Sequence, residues 1–200
     1  MSFEYNVDPF RLIAQGISIF PCDPGDKRPA AKNAKMHPVK EEHRDTTYRL
    51  KWQDVMTTDE ATVERWVREY PDCFWGTPTG DVNGFITVDL DTYADDTVAD
   101  WWDEHWFAPG SEVATLSGGR HERYAVEPGE DIQTNRGKLH NAVDVRGEGG
   151  YIVAYTDDYS DIPPIPADLL EFLPKRTQVD ADAEAAEAAA ILAPEEKATE

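Results

Sequence analysis

The sequence predicts an α/β (α+β) domain, with mixed β-sheets and flanking helices around a carboxylate-lined cleft. Three observations carry this. Apolar, β-branched runs of strand length recur, as in Phe85-Ile86-Thr87-Val88 and Ala142-Val143-Asp144-Val145. Segments with apolar residues at helical spacing lie among them, as at Val63, Trp66, Val67 and Tyr70. Two of the strand-like runs also deliver carboxylates, Asp89, Asp91 and Asp144, although aspartate is depleted in strand interiors. With 200 residues, 40% of them hydrophobic, and six Trp, seven Phe and eight Tyr, the chain suffices for one substantial core.

The elements follow in order. Asp8 and Pro9 predict an N-cap and first helical residue, and Gly16 ends that short helix. Residues 17–21 read as a strand. Residues 57–70 read as a helix opened by a capping box, Thr57 with Glu60. In the strand ending at Asp91 side chains alternate, so Asp89 and Asp91 share one face and Val88 and Leu90 the other. A second amphipathic helix carries Val98, Trp101, Trp102, His105 and Trp106, its tryptophans read as core. Strands over 112–116, 122–127, 141–146 and 151–155 are separated by Gly- and Asp-rich turns, and 167–173 forms a last short helix. Beyond Arg176 the composition turns to Ala, Asp and Glu without an apolar stripe. Residues 1–176 are therefore expected to form one domain, and 177–200 a linker or frayed helix of the kind that joins a further domain.

The carboxylates call for a cation. Neighbouring carboxylates repel, and burying either without compensation is costly. A hard ion such as Mg²⁺ takes oxygen ligands and removes both penalties. Asp144, from an adjacent strand, would reach ions held by Asp89 and Asp91. Two ions about 3.5–4 Å apart serve phosphoryl transfer by activating a hydroxyl and stabilising the leaving pyrophosphate. The turn Ser117-Gly118-Gly119-Arg120-His121 offers glycines, an arginine and a histidine suited to a triphosphate. The plainer alternatives stay open: a surface turn for that segment, and an ordinary ion pair for Asp144 and Arg146.

The formal net charge of −21 argues against a generally basic nucleic-acid binder, but the charge is unevenly spread. Residues 27–51 hold Lys27, Arg28, Lys32, Lys35, Lys40, Arg44, Arg49 and Lys51 against three acidic residues. That makes the segment +5 and leaves −26 for the remainder. Such a segment can supply phosphate contacts to DNA, through Lys27, Arg28, Lys32, Lys35, Lys40 and Arg44, or can be a solvated loop. His37 and His43 within it are read as solvent-exposed. No stretch is long and apolar enough to span a membrane, and the start is no signal peptide. Cys22 and Cys73, far apart in sequence, fit free thiols in a reducing cytoplasm.

From about residue 8 to 165, the order of motifs resembles the prim-pol domain, the bifunctional DNA primase/polymerase N-terminal domain of the archaeo-eukaryotic primase superfamily. Beyond the motifs above, the likeness rests on Ile19-Phe20-Pro21 and Gly25-Asp26-Lys27-Arg28-Pro29-Ala30. It extends to Trp52, to the helix from Thr57 to Trp66, and to the turn Trp75-Gly76-Thr77-Pro78-Thr79-Gly80. The resemblance implies an archaeo-eukaryotic primase-like fold and templated nucleotidyl transfer on DNA, as primase, polymerase or both. It makes Asp89, Asp91 and Asp144 ligands of two Mg²⁺ or Mn²⁺ ions. Ser117, Arg120 and His121, on a turn with Gly118 and Gly119, would hold the phosphates of an NTP or dNTP with help from Arg146. DNA template and primer, plus a downstream helicase-type domain as in plasmid and phage replication proteins, are the implied partners. Glu122 and Arg123 stand where members commonly carry a hydrophobic or aromatic pair, and residues 31–51 exceed the usual link. No zinc is expected, since the two cysteines lack Cys-x-x-Cys spacing. Two rivals remain: a metal-dependent nuclease or phosphodiesterase, and a non-catalytic DNA-binding replication module.

Overall fold

The computed structural model describes residues 6–30, 52–105 and 109–175. In chain order the elements are α1 (Pro9–Ala14), β1 (Phe20–Cys22), α2 (Trp52–Val55), α3 (Glu60–Glu69), β2 (Phe74–Pro78), β3 (Phe85–Leu90) and α4 (Val98–His105). There follow β4 (Ser111–Ala114), β5 (Arg120–Ala125), β6 (Asn135–His140), β7 (Val143–Arg146), β8 (Tyr151–Val153) and α5 (Ala167–Phe172). The predicted combination of helices and sheets is present, but the sheets are antiparallel rather than mixed. One runs β1-β2-β8 and the other β4-β5-β3-β7-β6, with every named pair antiparallel. Short connections explain this, because β4 turns into β5 over residues 115–119 and β6 into β7 over 141–142, whereas parallel pairing needs a long crossover.

Alternation along β3 sorts the interior. Ile86, Val88 and Leu90, all fully buried, face a core built with Val98 and Trp102 of α4, Tyr124, Val143, Val145 and Leu169 of α5. Each such side chain contributes about 1.5–3 kcal/mol by leaving water, which offsets the cost of carrying a carboxylate in the same strand. A second core joins the small sheet to α1 and α3 through Leu12, Ile19, Phe20, Val63, Trp66 and Trp75. Phe85, on the odd face of β3, belongs to this second core. The odd face of the five-stranded sheet thus turns towards the small sheet.

Several boundaries differ from expectation. The helix expected from Thr57 begins at Glu60, capped by Asp59, whose carboxylate accepts from Thr62 N at 2.8 Å. Thr57 cannot open it, because its backbone pairs with Ile19 in both directions at 3.0 Å. Strands β2 and β6 carry no apolar period in the sequence, since Gly76, Pro78 and Gly137 interrupt it, and the four-residue α2 is too short to show one. Trp102 is core, whereas Trp101 is partly buried and Val67 exposed, so both helical stripes are narrower than their spacing suggests. Trp106, His37, His43, Lys32, Lys35, Lys40, Arg44, Arg49, Lys51 and the tail over 177–200 lie outside the described residues. Cys22 and Cys73 are buried free thiols, and burial pushes the Cys73 thiol up to about 12. No described helix is long and apolar enough to cross a membrane.

Candidate active site

Strand register brings the two carboxylate-bearing strands and the end of the Gly-rich turn together. Asp89 of β3 pairs with His121 of β5 on one side and Asp144 of β7 on the other, and Val113 and Arg136 continue the row across all five strands. Directly paired residues share a face, so His121, Asp89, Asp144 and Arg136 stand side by side on the face turned towards the small sheet. Like charges directly opposite are destabilising, and a histidine and an arginine flank this pair. His121 Nε2 stands 3.5 Å from Asp89 Oδ1, and the Arg146 guanidinium lies 2.8 Å from Asp144 Oδ2 and 3.8 Å from Asp89 Oδ2. Arg136, 80% exposed, approaches Asp144 at 3.9 Å.

The balance differs between carboxylates. Burial raises the carboxyl of Asp89, but the His121 hydrogen bond, its charge, Arg146 and Lys27 outweigh burial and hold it below the usual range. Asp91 is less well escorted, with only the Tyr93 hydroxyl and the charge of Arg146 lowering its carboxyl. Burial first, then the charges of Asp89 and Asp144, push its carboxyl above the usual range, with Tyr93 donating to it at 3.4 Å. Asp91 is thus the point where negative charge is least compensated.

A cavity of about 580 Å³ opens here, lined by Asp89, Asp91, Ser117, His121 and Arg146 from the large sheet and by Tyr151, Ile152 and Val153 of β8 opposite. Asp26, Lys27 and Arg28 border it from the loop after β1. Tyr155 forms one wall, its ring centroid 5.4 Å from that of His121. Tyr155 is not singled out from sequence for this cavity, whereas Arg136 is expected near it as one of several basic residues, with Lys51, Arg123 and Lys138. The aromatic spacing of Tyr151 and Tyr155 after a Gly-rich turn was the available signal for Tyr155, and the β6–β7 pairing puts Arg136 opposite Asp144.

The turn motif is divided. Ser117 lines the cavity, while Gly118 supplies a left-handed backbone, φ 86°, with its carbonyl accepting from Thr92 Oγ1 at 2.6 Å. Gly119 lies so close to β3 that a Cβ would stand 2.6 Å from the Leu90 carbonyl. The chain enters β5 at Arg120, and from there adjacent side chains point to opposite faces. His121 faces the cavity and Arg120 therefore faces away. Arg120 binds Asp103 of α4 at 2.6 Å, Glu122 at 3.1 Å and Glu112 at 3.5 Å, and is no part of the cavity wall. Arg120 and His121 thus stand on opposite faces of the sheet, with only His121 at the cavity.

Among the described residues, no group of three or more His, Cys, Asp or Glu side chains stands arranged to hold a metal ion. Arg146 occupies the space between Asp89 and Asp144, and His121 engages Asp89. Carboxylates on adjacent strands, with charge least compensated at Asp91, are donors that suit a hard cation. Beside it stand cationic groups suited to phosphate oxygens.

Carboxylates on neighbouring strands, with an arginine and a histidine beside them, border a cavity of small-ligand size. The chain belongs to the family of the bifunctional DNA primase/polymerase, N-terminal domain (Prim-Pol), whose model matches residues 10–161. Membership implies a nucleotidyltransferase of the DNA primase/polymerase type, with DNA and nucleotides as substrates. No curated protein matches the chain.

Proposed function

We propose that the chain joins nucleotides on a DNA template through the cavity between its two sheets, as primase, polymerase or both. The observation carrying this is the row His121–Asp89–Asp144 on neighbouring strands, with Asp91 one step beyond and Arg146 between the carboxylates. Asp89, Asp91 and Asp144 are the residues that would hold Mg²⁺ or Mn²⁺. When bound, such a pair of ions activates a primer 3′-hydroxyl and stabilises the departing pyrophosphate. Arg146, His121 and the Ser117 hydroxyl, all at the cavity, would donate to the phosphate oxygens of a bound nucleotide. The Tyr155 ring shields His121 from water on one side. The two-ion scheme, a setting in plasmid or phage replication and a downstream helicase-type domain rest on the residues' chemistry and the family resemblance.

Primer extension with ribo- and deoxynucleotides supplied separately, with Mg²⁺ or Mn²⁺, tests the reading. The wild-type chain extends the primer, and Asp89→Ala, Asp91→Ala and Asp144→Ala each abolish extension while melting within a few degrees of wild type. Activity above about a tenth of wild type removes that residue from the metal set. Cleavage of the DNA without extension overturns the proposal in favour of a nuclease.

A further inference from the structure

Lys27 is the one non-glycine among the described residues with a left-handed backbone, φ 59°. A residue bearing a Cβ holds that conformation only when its surroundings impose it, and such positions concentrate at functional sites. The surroundings here are a short loop tied at several points. Lys27 N donates to Asp23 O at 2.8 Å, Asp23 N to Arg28 O at 2.8 Å, and Arg28 N to Asp26 Oδ1 at 3.0 Å. Tyr151, from the wall of the cavity, donates to the Lys27 carbonyl at 3.3 Å.

The side chain enters the cavity. Lys27 lines it together with Asp89, Asp91, Ser117 and His121, and its ammonium stands 5.8 Å from the Tyr155 ring centroid. Its charge is among those that hold the Asp89 carboxyl down. The other cations at this cavity are placed differently: Arg146 lies against Asp89 and Asp144, while Arg28 and Arg136 are 73% and 80% exposed at the side chain. Lys27 makes no ion pair with any described residue. A space of about 580 Å³ accepts a nucleotide and is too small for a duplex, whose phosphates meet cations on an outer surface.

We propose that Lys27 grips the phosphate oxygens of the incoming nucleotide, held in place by its left-handed turn, instead of binding DNA as its place in the basic run 27–51 suggests. The assignment rests on the nucleotidyl-transfer reading above. A lysine serves as a point charge for phosphate, and the fixed backbone removes part of the ordering cost.

Two variants of the full chain test it. Lys27→Gln keeps the backbone demand and removes the charge, and Lys27→Gly removes both. A fluorescent dATP with Mg²⁺ is titrated, and tripolyphosphate serves as competitor. A fluorescein-labelled single strand is titrated separately over a range of salt. Both variants are expected to bind nucleotide at least tenfold more weakly and to lose tripolyphosphate competition. DNA affinity stays within twofold with an unchanged salt slope, and Lys27→Gly melts at or above the wild-type temperature. Wild-type nucleotide affinity in either variant overturns the assignment alone, as does a loss confined to DNA. A wild-type chain that binds no nucleotide overturns the nucleotidyl-transfer reading and the assignment with it.

Discussion

Arg120 and His121 are neighbours in sequence with opposite fates in the sheet. His121 sits against Asp89 in the cavity, and Arg120 closes a network of Asp103, Glu112 and Glu122 on the other face. Glu122 is 1% exposed, and burial raises its carboxyl above the usual glutamate range while Arg120 opposes the rise. Arg120→Ala would leave that carboxylate buried without its cation. Because Asp103 and Glu112 are 60% exposed, only the Glu122 contact lies out of water, so the expected cost is about 2 kcal/mol at neutral pH, below that of a fully buried pair. The sign with pH follows from the direction of the shift. A carboxyl raised in the folded state favours the folded protein as pH falls through that raised value. The deficit of Arg120→Ala relative to wild type therefore shrinks on acidification from neutrality towards the ordinary glutamate range, read by denaturant unfolding at several pH values. His121→Ala is expected to do the reverse, melting near wild type while binding nucleotide more weakly. A deficit independent of pH would show that Glu122 does not carry the effect.

At the scale of elements, the site depends on how β7 ends. Gly147 follows Arg146, donates its N–H to Thr134 Oγ1 at 3.0 Å, and approaches the chain so closely that a Cβ would stand 2.1 Å from the Ile132 carbonyl. Backbone cannot swing aside as a side chain can, so Gly147→Ala must displace either β7 or the segment before β6. The expected loss is about 1–3 kcal/mol of stability, seen as a lower melting temperature. Weaker primer extension accompanies it, because Arg146 moves with the strand end. A variant with wild-type melting and activity would mean that the approach relaxes without cost. The element was half legible beforehand. β3 and β7 announce themselves through β-branched runs, and the alternation that separates Asp89 from Val88 needs no coordinates. β6 was not legible, because Asn135, Arg136, Gly137 and Lys138 carry no apolar period and the strand exists only through its pairing with β7. The cap of α3 was misplaced by two residues, because the competing bridge between Thr57 and Ile19 is a long-range contact that no local pattern records.

Charge belongs to the whole molecule. A chain of −21 must still bring DNA to a cavity that itself holds carboxylates, so the cations that approach phosphates have to be concentrated. Around the cavity, Arg28 and Arg136 are exposed at the rim, and most of the remaining positive charge near them in sequence lies at Lys32, Lys35, Lys40 and Arg44. If those four touch a single strand, each displaces condensed counterions, and log affinity against log salt loses roughly 0.7 of slope per contact removed. Replacing all four by glutamine is expected to flatten the slope by about 3 on single-stranded DNA. Affinity should fall for every sequence alike, since phosphate contacts position a strand without reading it. Nucleotide binding should be unchanged, because the cavity keeps Lys27, His121 and Arg146. Measured by fluorescence anisotropy from low to moderate salt, an unchanged slope would move DNA recognition to Arg28, Arg136 and Lys138. In that case the strand would approach along the β6 edge of the five-stranded sheet, where Arg136 already faces Asp144.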